Sequence, residues 1–358
     1  MGASPSINAI IKLDPHKSEL ADFLHGSLFS PCPSTLSRAI RNKHFLTWPG
    51  IDKIDFARYV KDNIATKKGH FNQERKNLRS TAVAFNTDTA PCFFPSSVAT
   101  PKTYTTLSSL ATSHVPTKAY GNLTGQFPFK SSRGNNYIYL LYDYDSNSIL
   151  VEAVPNRQAQ TLAKAWDKLT NRLRQCGHSY THFVLDNELS VDLKQAFKKY
   201  NISHKCVPPN LHRRNAAERA IQTFKNHLLA GLATCQKGFP INEWDRLLPQ
   251  AEITLNLLRT SRNNPHLSAY AYLFGQYDYN AHPMVPPGTK VIVHQKPATR
   301  LSWVYHGKMG WYIGPSLDHY RCVRVYMPST YSVVIADTVE FLPERISFPH
   351  STTESYIQ

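Results

Sequence analysis

Residues 183–225 read FVLDNELSVDLKQAFKKYNISHKCVPPNLHRRNAAERAIQTFK, and the remainder of the chain is interpreted around them. A short apolar run delivers Asp186 at its end, an amphipathic segment and a second short run follow, and a basic turn, His212-Arg213-Arg214, leads into a segment carrying Glu218. The alternation of short apolar runs with helical periodicity predicts strand, helix, strand, helix. In the last segment Ala217, Ala220, Ile221, Phe224, Leu228, Leu229 and Leu232 keep helical spacing, so one side of this helix packs on a core. Glu218, Gln222 and Lys225 lie four and seven residues apart, which at 3.6 residues per turn lines up a carboxylate, an amide and an ammonium in one row.

Upstream, strands are predicted at Lys118–Leu123, Asn136–Asp143 and Ser148–Val154, with a turn at Gly134-Asn135. The segment Gln158–Cys176 follows as a helix, with Leu162, Trp166, Leu169 and Leu173 on one side. Downstream, Ile241–Arg259 and Ser268–Phe274 read as apolar helices. After Pro286-Pro287-Gly288 come short β-prone runs at Lys290–His294, Gly310–Ile313, Cys322–Tyr326 and Ser332–Ala336.

This arrangement resembles the catalytic core of retroviral and LTR-retrotransposon integrases, and the chain is similar to the integrase region of a copia-like LTR retrotransposon polyprotein. LTWPGID and IATKKGHFNQERKNLRST, upstream, and PPGTKVIVHQKPATR, GWYIGP and HYRCVRVY, downstream, carry the likeness beyond the core. The resemblance implies an α/β fold: a ribonuclease-H-like mixed five-stranded sheet with flanking helices, an N-terminal helical segment, and a small C-terminal SH3-like β-barrel that binds DNA. The boundaries expected are 1–79 for the helical segment, 80–117 for a flexible Ser/Thr/Pro-rich linker, 118–280 for the core, 281–346 for the barrel and 347–358 for a tail.

The family holds two divalent metals, Mg²⁺ or Mn²⁺, with two Asp and one Glu, and Asp186 and Glu218 match the second and third of these. Thirty-one residues lie between them, fewer than is usual in the family, which implies a shortened loop after Asp186. The first Asp belongs on the first strand just before a Thr-Gly step, and this chain reads Tyr120-Gly121-Asn122-Leu123-Thr124-Gly125. Asn122 therefore stands where the resemblance implies an acid. Asp143 and Asp145 offer a replacement for it, or else simply build an Asp-Ser-Asn turn. Glu218, three residues after Asn215, also fits a capping arrangement that needs no catalysis.

The helical domain upstream of many integrase cores binds zinc through two His and two Cys. Here His16, His25, Cys32, His44, His70 and Cys92 show no pair at ligand spacing, so no zinc is expected and they read as surface or packing residues.

The formal net charge is +16. Residues 1–80 carry 13 Lys/Arg against 7 Asp/Glu and residues 117–280 carry 20 against 12, so the excess sits on the first and middle parts. Such a balance suits a polyanion, nucleic acid first, although a surface tuned for solubility has the same signature. No apolar run approaches bilayer length, and the six cysteines show no pairing pattern, so an intracellular protein, nuclear or cytoplasmic, with no membrane partner is expected.

The reading that follows is an integrase-like protein of the 3′-processing and strand-transfer class, acting by two-metal phosphoryl transfer, with an incomplete acidic triad. Its metal site would be Asp186, Glu218 and Asn122, binding the metal weakly. Its nucleic-acid contacts would be Arg213, Arg214, Gln222 and Lys225. Its partners would be double-stranded DNA at element ends and target, and further copies of the chain. The alternatives are a catalytically silent DNA-binding protein, decayed or reused by its host, and a ribonuclease-H-like nuclease.

Overall fold

The β-prone runs of the chain find partners close to where their alternation places them. The computed structural model describes residues 17–60, 63–71, 117–185, 190–206, 216–296, 302–346 and 348. Strands β1 (Lys118–Leu123), β2 (Tyr137–Asp143) and β3 (Ser148–Val154) form an antiparallel meander, with Asn122 opposite Leu140 and Ala119 opposite Asp143. Helix α5 (Ala159–Gln175) crosses over to β4 (His182–Leu185), and α6 (Val191–Lys199) to β5 (Ser203–Cys206). Both β4 and β5 run parallel to β1, giving a five-stranded mixed sheet of order β3-β2-β1-β4-β5.

The period-two alternation of the strands sorts two cores. Ala119, Tyr139, Leu141, Phe183 and Leu185 pack with Trp166 and Leu169 of α5 and Phe197 of α6. Ile138, Leu140 and Tyr142 face the other way, onto Ala220, Phe224 and Leu228 of α7 (Ala216–Thr234) and Leu248, Ala251 and Leu255 of α8 (Leu248–Leu258).

The helix read over Ile241–Arg259 is two elements, a 3₁₀ segment Ile241–Arg246 and then α8, with Pro249 in its first turn. Pro249 is tolerated in the first turn, where its missing N–H has no helical partner to lose, and Leu247 joins the two elements with αR dihedrals of φ −82° and ψ −14°. Almost all of α8 is buried, including its polar residues Gln250, Glu252 and Asn256. Glu252 and Asn256 complete the sheet. β3 is an edge strand, and the Asn256 side chain accepts from Ile149 N at 2.9 Å and donates to Ile149 O at 2.8 Å, while Glu252 accepts from Val151 N at 2.8 Å. An open edge buried under a helix would otherwise leave costly unpaired amides. Arg172 of α5 pairs with the same Glu252 and supplies the opposite charge.

Before the sheet stand α1 (Lys17–Ser27), α2 (Pro33–Arg41), a 3₁₀ turn at Ile51–Lys53, α3 (Phe56–Tyr59) and α4 (Ile64–His70). Ser34 lies inside α2. Cys32 is the N-cap, without a side-chain bond, because Pro33 already takes the first helical position. Asn63 caps α4 by accepting from Thr66 N at 3.1 Å. Gly69 sits within α4 because a Cβ there would come 2.4 Å from Ala230 Cβ and 2.5 Å from its backbone nitrogen, so α4 and α7 touch backbone to backbone. The expected linker lies outside the described residues except for Thr117.

Past α9 (Ala269–Phe274), strands β6 (Lys290–His294), β7 (Gly307–Pro315), β8 (Val323–Met327), β9 (Ser332–Ala336) and β10 (Val339–Leu342) form a wholly antiparallel sheet of order β10-β6-β7-β8-β9. The barrel expected here is an open sheet, with β9 and β10 as its two edges. Its inner residues Val291, Tyr312, Val323 and Val325 pack in one cluster with Leu24, Phe45 and Trp48 from the N-terminal helices and Leu257 of α8. The helices cover the apolar face that a closed barrel would cover with its own strands. Among the described residues no helix is long and apolar enough to cross a membrane.

Asn256→Leu removes the partner of two buried backbone groups while keeping the side chain's size. It is expected to cost about 2–4 kcal/mol, from the penalty of leaving buried polar groups unpaired, as read by urea denaturation. A loss within experimental error would mean that the β3 edge is satisfied in another way.

Candidate functional site

In the strand order β3-β2-β1-β4-β5 the chain leaves one edge and returns on the far side of β1, so β1 and β4 flank the point where the order reverses. Their carboxyl ends lie side by side, and in open α/β sheets that crevice is where ligands bind. Leu185, the last described residue of β4, lies opposite Gly121, and Asn122 and Asp186 come next in their respective chains. Asp186 itself is outside the described residues, as are Arg213 and Arg214.

Asn122 faces the side of the sheet covered by α7, since its pairing partner Leu140 belongs to the cluster containing Ala220 and Phe224. It is half-buried, and its Oδ1 accepts a 2.7 Å hydrogen bond from Leu123 N. Glu218 stands in the first turn of α7, half-buried, on the helix that packs over β1 and β2. Gln222 and Lys225 are exposed further along the same helix, while Ala220, Phe224 and Leu228 are buried on the sheet side. The topology thus brings Asn122 and the helix of Glu218 to one face of the sheet, with the end of β4 adjoining.

A residue whose role the sequence did not reveal holds this end of β1 in place. Thr124 donates its backbone N–H to Ile138 O at 3.0 Å, and its buried hydroxyl accepts from Ile138 N at 3.0 Å. The side chain extends the ladder past the last strand residue and fixes the loop that leaves Asn122. A threonine ending a β-prone run just before a glycine was the available signal.

Asp143 lies elsewhere. It pairs across from Ala119, three residues from the Asn122–Leu140 pair, or about 10 Å along the strand. The alternation also turns it to the opposite face of the sheet, with Tyr139 and Leu141. Its carboxylate accepts from the backbone N–H of Ser146 at 3.0 Å and from the Ser146 hydroxyl at 2.5 Å, and the Ser146 oxygen lies 2.7 Å from the Ser148 hydroxyl, which is placed to donate to it. This is the Asp-Ser-Asn turn, with Asn147 in the left-handed region at φ 60°. Asp145 shares the turn, and its carbonyl accepts from the backbone N–H groups of Arg262 and Asn263.

The donor set for a divalent cation can be read from these positions. Glu218 is a carboxylate, Asn122 contributes one neutral amide oxygen already engaged by Leu123, and no group of three or more His, Cys, Asp or Glu among the described residues could hold a metal. A two-metal site needs anionic oxygens that bridge, which an amide cannot provide. The histidines of the N-terminal helices are packing groups. His25 Nε2 contacts Pro31 O at 2.8 Å and His44 Nδ1 contacts Leu257 O at 3.0 Å, and burial lowers the pKa of both, that of His25 to about 4.

Burial raises the pKa of Asp143, against the opposing bonds from Ser146. The folded protein therefore holds this proton more tightly than the unfolded chain, so the group opposes folding at neutral pH and ceases to do so as the pH falls through the acid range. Asp143→Asn is expected to hold or raise stability at neutral pH, with the gap to wild type closing on acidification. Urea titrations at several pH values check this, and a clear loss at neutral pH would show that the ionised carboxylate holds the turn.

No family model matches the chain, and no curated protein does. Among solved structures it is similar to the catalytic core domain of BIV integrase, at 18% identity and a TM-score of 0.33 over 44% of this chain and 92% of that one. It is also similar to the HTLV-2 integrase catalytic core domain in complex with magnesium, at 18% identity and a TM-score of 0.34 over 44% of this chain and 95% of the other. A third is a chain of the simian T-cell lymphotropic virus intasome in complex with the PP2A regulatory subunit B56 gamma, at 14% identity and a TM-score of 0.34 over 63% and 81%. These structural neighbours are retroviral integrases, two of them catalytic core domains.

Proposed function

We propose that this chain is an integrase-like DNA-binding protein of a copia-like LTR retrotransposon, of the 3′-processing and strand-transfer class, whose turnover is held down by Asn122. The observation that carries the reading is the convergence of Asn122 and the helix of Glu218 on one sheet face, at the carboxyl ends of β1 and β4, where Asp186 follows Leu185 in the sequence. In this reading Asp186 and Glu218 hold Mg²⁺ or Mn²⁺, and the amide of Asn122 is the weakest of the three ligands. Bound metal would supply Lewis-acid stabilisation of charge developing on the phosphoryl oxygens. The chain's own residues position the DNA. Gln222 and Lys225 extend the row from Glu218 along the exposed side of α7, and Arg213 and Arg214 precede it in the sequence. Contacts of this type fix the backbone without reading bases.

The engaged amide also supports the reading of low turnover. Asn122 Oδ1 is already bonded to Leu123 N, so a metal would compete for it and gain no charge neutralisation in return. The second sheet suits an auxiliary DNA contact. Trp303, Tyr305 and Tyr320 are 98%, 91% and 69% exposed, which is unusual for such large rings unless they stack on a partner.

Asn122→Asp is expected to raise Mn²⁺-dependent cleavage or joining of paired short duplexes by more than about tenfold, a floor set by what even outer-shell partners of a metal ligand are worth. Asp186→Asn in that background should abolish the gain. Efficient joining by the wild-type chain, or no response to Asn122→Asp, would remove Asn122 from the metal site.

Lys225→Ala is expected to weaken duplex binding across sequences and to flatten the slope of log affinity against log salt by about one. Fluorescence anisotropy over a salt series measures it. An unchanged slope would place Lys225 away from the DNA.

A further inference from the structure

A cavity of about 570 Å³ opens among α2, α4, α7 and the end of α8, away from the acidic edge. Arg38, His70, Thr223, Asn226, Arg259 and Thr260 supply most of its polar lining, and no carboxylate is among its lining residues. By the helical rise, Thr223 and Asn226 lie about 8 and 12 Å along α7 from Glu218.

Arg259 is the centre of the argument. Its Nε donates to Asn147 O at 2.8 Å and its Nη2 to Asn147 Oδ1, both neutral acceptors. Asn147 is itself fixed by the Tyr142 hydroxyl at 2.9 Å and by its own bond to Thr260 O at 2.8 Å. The guanidinium also meets the Tyr142 side chain, its carbon 5.6 Å from the ring centre, and so is held rigidly by neutral partners with N–H donors beyond the two bonds to Asn147. No described carboxylate forms an ion pair with it, and burial lowers its pKa, an effect to which Arg262 adds. A desolvated cation without a counter-charge is expensive, and the fold retains this one beside an open cavity.

The other groups are donors as well. Arg38 is exposed and forms no ion pair with a described residue, and His70 Nε2 is buried with no hydrogen-bond partner among the described residues. The Thr260 hydroxyl accepts from Asn42 Nδ2 at 3.1 Å, leaving its own proton to donate. Pro31, Leu255 and Leu258 form an apolar floor. Convergent donors with two guanidinium groups suit a tetrahedral oxyanion, because Arg binds phosphate through paired N–H bonds.

We infer that this cavity is a phosphate-binding site, formed by Arg259 and Arg38 with His70 and Thr260, and separate from the acidic edge of the sheet. It stands whether or not the acidic edge is catalytic. The phosphate could belong to a free phosphorylated small molecule or to a duplex backbone, and one set of titrations separates the two. Inorganic pyrophosphate is titrated calorimetrically into the full chain, with and without saturating duplex DNA. Binding in the millimolar range or tighter is expected. Displacement by duplex identifies the backbone as the source, and binding undisturbed by duplex identifies a free phosphorylated ligand.

Arg259 also holds the Asn147 turn, so the variants are made at exposed positions. Arg38→Ala is expected to weaken pyrophosphate about tenfold, as the loss of one charge-assisted contact does, and Thr223→Glu to abolish binding by placing a carboxylate in the cavity. Asn122→Asp is expected to leave pyrophosphate affinity unchanged. The inference is overturned if wild type takes up no pyrophosphate, if the Arg38 and Thr223 variants bind as wild type does, or if Asn122→Asp alters the affinity, which would locate the probe at the acidic edge.

Discussion

The unpaired edge of β3 is the constraint to which much of the structure answers. Its outward amides at Ile149 and Val151 are buried beneath α8 and are satisfied by Asn256 and Glu252. Meeting that demand fixes the rotation of α8, which then presents Leu248, Ala251 and Leu255 to the sheet core and Ile253, Leu257 and Leu258 to the cluster shared by the N-terminal helices and the second sheet. One helix thus couples the two cores, and its polar side chains set the register of that coupling.

From the same packing follows the position of the candidate site. α7 lies against β1 and β2 through Ala220, Phe224 and Leu228, and against α4 through the close approach of Gly69 to Ala230. Held from two sides, it places Glu218 over the sheet face that Asn122 also occupies. Thr124 holds the adjoining loop to Ile138, so the carboxyl end of β1 is ordered by hydrogen bonds that do not involve the candidate ligands. The site's framework is therefore intact even though one of its expected acids is an amide.

That separation of scaffold and chemistry gives the chain its particular character. In the proposed reading an amide in place of a carboxylate at residue 122 would preserve shape and hydrogen-bonding reach, so the fold would have no reason to respond, while the missing anionic oxygen would fall wholly on cation binding. Asp143 offers no replacement there, since strand alternation turns it to the opposite face of the sheet from Asn122 and the Ser146 bonds hold it in a turn.

Much of the local structure was legible in the residues themselves. The limits of β1 and β3, the apolar stripe of α5 and the exposed row of Gln222 and Lys225 follow from periodicity, because alternation and helical spacing are properties of neighbouring residues. The prolines in the first turns of α8 and α2, Pro249 and Pro33, also mark those helix starts locally. Only the tertiary structure decided the rest. Glu252 and Asn256 look like misfits in an apolar helix until an edge strand arrives to use them. The second sheet stays open because helices distant in sequence cover its apolar face. Arg38, His70 and Arg259, far apart along the chain, meet around one cavity by the packing of α2, α4 and α8. Contacts between residues remote in sequence leave no period to read, which is why the strands and helices could be drawn from the chain alone and the faces they share could not.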